Sequence, residues 1–282
     1  MSLSAHYREV IYYALMGPSI LSCIGSMFIL VMYASFKNLR VIPFQLMTIL
    51  SVFDILNAVG FLIPTPNVED SDPICQTQAI ILNFTSIGGV MWTTFMAIYL
   101  YYSVAKAVFL TQETILKWLG VVLLFCLVNT LIPALSYFDG YGKTVGWCWI
   151  TNNFGWLRYS LFFIPLWILV PTNFIFYSKV RSHIHLIDGD LETERLKNKL
   201  KKKLLLYPLL IIICYAPYSI KALLELLKVL SEDDFIFTLI SGVLRSLHGL
   251  LNVLVYGLNR SVQKHIKKCG REKQFSTPLV EF

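Results

Sequence analysis

Ionisable side chains stand inside long apolar stretches of this chain, and they are the residues best placed to do chemistry. They are Asp54, the pair Lys221 and Glu225, and the pair Arg245 and His248. A charge in such surroundings is costly and usually functional. A lysine or arginine there can bind an anion through charge-assisted hydrogen bonds. The pattern therefore indicates a binding site within the apolar stretches.

The cations predict an outer cavity for a small anionic ligand. The candidate ligand-binding residues are Arg158, Lys221, Glu225, Arg245 and His248. Lys221 and Glu225 are four residues apart, the spacing at which two side chains meet on a helix. A second interpretation stays open, in which Arg245 pairs with Glu225 or Asp54 and the charges only hold the helices together.

Asp54 predicts a second polar site. It lies about 20 Å into its apolar stretch at 1.5 Å per residue, with Asn57 one turn further along. A cluster of Asp54 with Asn252, completed by trapped water or a sodium ion, would satisfy the carboxylate. A purely structural hydrogen-bond network is the alternative. Of the five histidines only His248 lies inside an apolar stretch, so a multi-histidine zinc site is excluded there.

Seven apolar stretches, separated by short polar loops, carry these residues. Each is about the 20 residues that a helix needs to cross a bilayer core, and each is apolar nearly all round. They run over residues 11–35, 42–64, 75–104, 115–136, 156–177, 203–227 and 235–258. The prediction is an all-α membrane protein, a seven-transmembrane helix bundle that forms one domain over residues 1–282. The first span, with few residues before it, is expected to be an uncleaved anchor.

The lysines and arginines predict the orientation. Most of the 24 follow spans one, three, five and seven, so the positive-inside rule places those segments in the cytosol and the N-terminus outside. The net charge of +7 is then a consequence of membrane topology, and we expect anionic lipid rather than nucleic acid as its partner.

Two of the six cysteines fall on the predicted outer side, at the start of span three and in the loop after span four. These are Cys75 and Cys148. Because both face an oxidising compartment, we expect a disulfide between them.

The start of span six predicts a cytosolic docking surface. Leucines repeat every four residues beside a run of lysines, so we expect this segment to extend the span as an amphipathic helix. The residues are Leu196, Leu200, Lys201, Lys202, Lys203 and Leu204. A solvated helix end anchored to lipid headgroups is the alternative. Beyond span seven, residues 260–269 predict a short amphipathic helix in the membrane interface, where Cys269 is either palmitoylated or a plain thiol.

Several runs of residues are distinctive. The outer loop reads Gly146-Trp147-Cys148-Trp149-Ile150, and span three opens with Cys75-Gln76-x-Gln78 and continues with Met91-Trp92-Thr93-Thr94. Span six opens with Leu206-Tyr207-Pro208-Leu209, and span seven ends with Asn252-x-x-x-Tyr256. These runs resemble the cyclic-AMP-receptor family (class E) of G-protein-coupled receptors, with its related plant-type and animal orphan receptors.

Two further runs are similar to the rhodopsin family. Cys214-Tyr215-Ala216-Pro217 resembles its Cys-Trp-x-Pro switch, and Asn252 to Tyr256 resembles its Asn-Pro-x-x-Tyr motif with Val253 in place of proline. No Asp-Arg-Tyr closes span three, so the ionic lock of that family is absent as such. The switch and polar network implied by these motifs and by the buried polar residues are Asp54, Asn57, Cys214, Tyr215, Pro217, Asn252 and Tyr256.

The resemblance implies a receptor that transmits the binding of an extracellular small ligand to a heterotrimeric G protein, through outward movement of span six about Pro217. We expect a multi-pass protein of the plasma membrane and no enzyme activity. A small-solute transporter is the alternative function, although no internal repeat is present. A retinal photoreceptor would need a lysine in span seven, which holds Arg245 instead.

Overall fold

The computed structural model describes residues 3–65, 68–69, 72–108, 110–135, 140–186, 191–230 and 234–257. Its helices and strands run in the order α1 Leu3–Ser35, α2 Ile42–Leu62, α3 Pro73–Ala105, α4 Gln112–Ala134, β1 Tyr141–Lys143, β2 Cys148–Ile150, α5 Gly155–Arg158, α6 Ile164–Leu186, α7 Leu191–Leu226, α8 Phe235–Ser246 and α9 His248–Asn252. A π-helical turn at Tyr159–Phe163 joins α5 to α6, and another at Val253–Gly257 follows α9.

Polar residues cap the starts of α3, α4 and α8. The Asp72 carboxylate accepts a hydrogen bond from the amide of Ile74 at 2.8 Å, and Pro73 occupies the first helical position of α3. Thr111 caps α4 in the same way, and Asp234 caps α8. Each cap satisfies an amide that has no partner within its own helix, so the loop sequence fixes where the apolar helix begins.

The helical membrane bundle predicted from the sequence is confirmed. Among the described residues, six helices are long and apolar enough to span a bilayer, or seven if the bent pair α8 and α9 counts as one. The orientation and the count of seven stay predictions. The interfacial helix predicted at 260–269, with Cys269, lies outside the described residues.

Helix α3 is the centre of the bundle. In its most apolar window 78% of the residues are buried, against 50% or less for every other candidate span. It packs against α2, α4, α6 and both strands. Its polar residues Asn83, Ser86, Thr93 and Thr94 are all buried, so the stripe that they form on this span faces neighbouring helices rather than lipid.

A bend of 43° separates α8 from α9, although this segment contains no proline. The Ser246 hydroxyl donates a hydrogen bond to the Val243 carbonyl at 2.9 Å, an arrangement that competes with the helix ladder and bends helices. Beyond the bend, Gly249 allows a close approach to α1 and α2. A Cβ at this position would lie 2.9 Å from both Asp54 Cβ and Ser26 Oγ.

The bundle has two distinct ends. We call the end that carries β1 and β2 the hairpin end; α3 starts there and finishes at the opposite end, where α6 also finishes. Helix α7 begins at Leu191, twelve residues before the apolar stretch that starts at residue 203. The predicted extension of span six beyond the apolar region is therefore confirmed in the backbone, and it lies at the opposite end.

Candidate functional site

The hairpin is fastened to α3 in two ways. A disulfide joins Cys148 in β2 to Cys75 in α3, which confirms the predicted pairing. One turn further along α3, the Gln78 carbonyl oxygen accepts a hydrogen bond from the Cys148 amide at 2.8 Å and another from the Thr65 hydroxyl at 2.8 Å. The Gln78 amide nitrogen donates to the Gly60 carbonyl at 3.0 Å. A single side chain thus ties the hairpin to the end of α2 as well.

The inner face of the hairpin is buried and hydrogen-bonded. The Tyr141 hydroxyl donates to the Thr130 carbonyl at 2.9 Å and accepts from the Asn83 amide at 3.2 Å. Burial raises the pKa of Tyr141 above its ordinary value, although the hydrogen bond from Asn83 lowers it. The phenol therefore stays protonated and keeps its donor role. The Trp149 indole donates to the Asn83 carbonyl oxygen at 3.2 Å.

Three charged side chains meet under the hairpin. The Lys221 ammonium lies 2.7 Å from one Glu225 carboxylate oxygen, and Arg158 lies 4.0 Å from the other. The side chains of Lys221 and Glu225 are each 9% exposed. The pairing predicted from their spacing is confirmed. Arg158 also donates to the Ile150 carbonyl at 2.7 Å and stacks over the Trp149 ring at 5.5 Å.

These three residues line a cavity beneath the hairpin turn. The rest of its wall consists of Thr144, Val145, Trp147, Phe163, Tyr218, Ala222 and Thr238. Two cations and one carboxylate give the described part of the lining a net charge of +1. The cavity volume is about 20 Å³, close to the minimum that holds one ordered water. A larger ligand would therefore require the walls to move apart.

Arg245 occupies a separate aromatic cage. Its guanidinium carbon lies 4.9–6.0 Å from the centroids of six rings. The rings belong to Phe61, Trp147, Trp149, Phe162, Tyr215 and Tyr218. Arg245 donates to the Ser86 hydroxyl at 2.6 Å. It is 2% exposed, and its other terminal nitrogen, Nη1, is buried with no hydrogen-bond partner among the described residues.

This cage differs from both sequence-based expectations for Arg245. Among the described residues no carboxylate lies within ion-pair distance of it, so it pairs with neither Glu225 nor Asp54. Nor does it line the cavity with Lys221. The physical reason is the rings of Trp147 and Tyr218, which line the cavity on one side and contact Arg245 on the other.

The His248 side chain contacts Asp54 rather than the cations that were predicted to bind the ligand. Its Nδ1 lies 2.9 Å from one Asp54 oxygen, and the Asn252 amide donates to the other at 2.8 Å. A hydrogen bond from His248 to an ionised Asp54 carboxylate requires the tautomer that carries its proton on Nδ1. Both carboxylate oxygens are therefore already hydrogen-bonded. Asn57 lies nearby and donates to the hydroxyls of Thr85 at 2.9 Å and Ser86 at 3.1 Å.

Tyr215 connects the two buried sites. Its ring lies 5.6 Å from the His248 ring in an edge-on arrangement and 6.0 Å from the Arg245 guanidinium. Cys214 beside it is buried, and Pro217 follows within α7. The side chain of Tyr256 lies outside the described residues. The same holds for the predicted docking side chains Leu196, Leu200, Lys201, Lys202, Lys203 and Leu204.

Sequence reasoning missed four residues that build the site: Trp147, Trp149, Tyr218 and Ser86. The tryptophans were visible as neighbours of Cys148, but nothing in the loop showed that they fold inward. Tyr218 follows Tyr215 by three residues and therefore shares its helical face, which was a usable signal. Ser86 lies 159 residues from Arg245, and no local pattern reports a contact at that range.

A helical membrane bundle with a charged cavity under a disulfide-fastened hairpin has the architecture of a multi-pass membrane receptor. Comparison with known proteins identifies the family of receptors to which it belongs. The profile described as the slime mold cyclic AMP receptor matches residues 4–262, and the chain belongs to this family.

Relatives come from several kingdoms. The chain is similar to cyclic AMP receptor-like protein A of Dictyostelium discoideum, with 24% identity over 91% of this chain and 65% of that protein. It is similar to G-protein coupled receptor 1 of Arabidopsis thaliana, with 26% identity over 94% of this chain and 82% of the relative. Human G-protein coupled receptor 157 is 26% identical over 85% of this chain and 75% of its own length. The chain is thus a receptor of the G-protein-coupled type, a multi-pass protein of the plasma membrane.

Proposed function

We propose that this receptor binds a small anionic ligand in the cavity at the hairpin end and signals to a heterotrimeric G protein. The observation that carries the proposal is the net positive charge of a buried cavity, supplied by Lys221 and Arg158 against Glu225. Cations in a desolvated site favour an anion, because the anion replaces the hydration that burial removes. Because the cavity is so small, a ligand can bind only if the cavity walls move apart, so ligand binding and opening of the cavity are coupled.

The aromatic walls of the cavity favour an anion that carries a flat apolar group. Trp147, Phe163 and Tyr218 present aromatic rings to the same cavity, and such rings favour offset or edge-on contacts with another aromatic group. The description of the matched family names cyclic AMP, which combines an anionic phosphate with an aromatic base. Cyclic AMP is therefore the first probe, with other small organic anions beside it.

A contiguous set of side chains leads from the cavity to the bend in span seven. Tyr218 lines the cavity and contacts Arg245, and Arg245 contacts Tyr215. Tyr215 in turn contacts His248, which is bound to Asp54. We propose that ligand binding repacks Tyr218 and so biases the polar network and the position of span six. A variant at each of these contacts tests whether it carries the coupling.

The G protein would bind at the opposite end, where α7 extends beyond its apolar part. Pro217 lacks a backbone donor and is a suitable pivot for outward movement of span six. The predicted contacts are Leu196, Leu200, Leu204 and the lysines Lys201 to Lys203. Replacing Leu200 and Leu204 with aspartate should abolish nucleotide exchange while surface expression stays unchanged. Full exchange in a well-expressed variant would remove this docking surface.

The polar network around Asp54 works in this proposal without a bound ion. A sodium ion at Asp54 would have to share the carboxylate with His248 and Asn252, each of which is bonded to one of its oxygens. Sodium titration of thermal stability tests this point: a saturable rise that is lost in Asp54→Asn would place sodium in the network after all.

The deciding experiment is guanine-nucleotide exchange on G proteins by the reconstituted full chain, with cyclic AMP and a panel of small anions. Lys221→Gln lowers the net charge of the described lining from +1 to zero and keeps a hydrogen-bonding partner for Glu225. It should lose the ligand response while folding normally. Lys228→Gln, an exposed lysine just beyond α7, is the matched control and should respond normally. Exchange that responds to no anion, or equally in both variants, would refute the cavity as the ligand site.

A further inference from the structure

A groove between α3 and α6 at the opposite end of the bundle takes no part in the cavity or the polar network. We call it the α3–α6 groove, and its volume is about 580 Å³. Its lining residues are Tyr101, Ala105, Lys106, Phe174, Ile175, Ser178, Lys179, Ser182 and His183. It is much larger than the cavity under the hairpin and is open at the surface.

The groove changes from apolar to cationic along its length. Phe174 and Ile175 line its deeper part, and Lys179 and His183 line the part nearest the end of α6. Phe174 and Ile175 lie four or five residues before Lys179 and eight or nine before His183, which is roughly 6–14 Å along the helix. A phospholipid lying against a membrane helix needs the same arrangement, with an apolar part for its acyl chains and a polar part at the helix end for its headgroup.

The groove faces away from the helix core. The core-facing side of α6 carries Asn173, Tyr177, Val180 and Ile184, all buried. The groove residues of α6 lie on the remaining circumference, and Phe174 and Ile175 are about half exposed. In a bilayer this face meets lipid. This placement favours a lipid over a segment of a G protein, which would enter among the inner ends of the helices.

The charge of the groove is one-sided. Lys106 and Lys179 supply two positive charges, and the described lining contains no aspartate or glutamate. The Lys179 ammonium lies 5.7 Å from the Tyr101 ring centroid and 5.6 Å from that of Phe176. These cation–π contacts restrict the lysine before any ligand arrives, so less conformational entropy is lost on binding.

We propose that the α3–α6 groove is a binding site for a phospholipid with a net negative headgroup. The headgroup lies between Lys106 and Lys179 with hydroxyl donors from Ser178 and Ser182, and the acyl chains lie along Phe174 and Ile175. The positive-inside rule places this end in the cytosol, and the cytoplasmic leaflet is the one that carries anionic lipid.

The test is native mass spectrometry of the full chain in a neutral detergent, titrated with phosphatidylserine and, separately, with phosphatidylcholine. The wild type should bind phosphatidylserine more tightly than phosphatidylcholine. Each lysine near an anionic headgroup contributes about fivefold in affinity, so Lys106→Gln/Lys179→Gln should weaken phosphatidylserine binding roughly 25-fold. Binding of phosphatidylcholine should change little. Lys106→Arg/Lys179→Arg should restore the preference.

Lys117→Gln is the matched control, because Lys117 near the start of α4 is exposed and paired with Glu113 at 2.7 Å but lies outside the groove. It should bind like the wild type. Equal affinity of the Lys106→Gln/Lys179→Gln variant and this control would overturn the proposal. So would a Lys106→Gln/Lys179→Gln variant that keeps phosphatidylserine but loses purified G protein, since the groove would then be a protein contact. Glycerophosphoserine, the headgroup without chains, should bind far more weakly; equal binding would mean a free-phosphate site.

Discussion

Replacing Arg245 with methionine should leave the receptor about as stable as the wild type, although it removes a buried charge from the centre of the bundle. The guanidinium is held by aromatic rings and a single hydroxyl rather than by a carboxylate. Methionine is apolar and flexible, and it fills most of the same space against the rings. The variant therefore separates the cost of burying the charge from the packing of the side chain.

The opposing contributions are similar in size. The charged hydrogen bond to Ser86 is worth about 1.5–3 kcal/mol, and a desolvated cation–π site about 2 kcal/mol. Against this stand an effective desolvation cost of several kcal/mol and the buried unpaired Nη1, which costs about 1–3 kcal/mol. The sum is near zero, so Arg245→Met should change the unfolding free energy by less than about 2 kcal/mol. That corresponds to a shift of roughly 4–8 °C or less.

A thiol-reactive fluorophore can follow thermal unfolding directly. Cys126 and Cys214 are free and buried, so they become reactive when the bundle opens. Arg245→Ala is the matched comparison, because it removes the same charge but leaves a void that should cost about 2–5 kcal/mol. Arg245→Met should therefore melt well above Arg245→Ala.

A melting point of Arg245→Met more than about 10 °C below that of the wild type would refute this reasoning. It would mean that the charge has a compensating partner and holds the bundle. A near-neutral Arg245→Met that also loses ligand-driven nucleotide exchange would instead show that the arginine is kept for signalling.

Three further changes test other parts of the structure by the same melting assay. Cys148→Ser opens a loop with a sequence separation of 73 residues and should cost about 4 kcal/mol; Cys23→Ser should be neutral, and an equal loss in both would contradict the structural role of the disulfide. Asp54→Ala leaves two buried donors without their acceptor and should lower the free energy of unfolding by about 3–5 kcal/mol. Asp54→Asn should lower it by less than half of that. No loss of stability in either variant would contradict a stabilising role of the Asp54 network. Gly249→Ala should cost about 1–3 kcal/mol through overpacking. Gly17→Ala, with open space around its Cβ, should stabilise the protein by about 0.5–1 kcal/mol. A Gly249→Ala variant more stable than Gly17→Ala would refute the close approach of the helices at Gly249.

The sequence predicts best where a contact is local or where the membrane restricts the choices. Lys221 and Glu225 meet because they are four residues apart on one helix. Cys75 and Cys148 could be paired because topology leaves them together on one side of the bilayer. Asn252 was expected beside Asp54 because both are polar groups inside apolar spans that must find partners there.

Contacts that depend on how two helices are rotated about their axes were not predictable in the same way. His248 was assigned to the ligand because it shares a span with Arg245, yet the bend between α8 and α9 lies between the two residues. One side chain then contacts the aromatic cage and the other contacts Asp54. No proline marks this bend in the sequence, and the close approach of Gly249 to α1 and α2 becomes visible only when the neighbouring helices are in place.

The double fastening of the hairpin also has a kinetic meaning. Its strands cannot leave α3 without reduction of the disulfide, a process of minutes to hours when uncatalysed. The turn at Thr144 and Val145, which roofs the cavity, is closed by a hydrogen bond from the Thr144 amide to the Trp147 carbonyl at 3.1 Å. Such a turn rearranges in nanoseconds to microseconds. A ligand that enters past the turn would therefore not wait for the hairpin to open, and the time that it stays bound would be set by its own affinity.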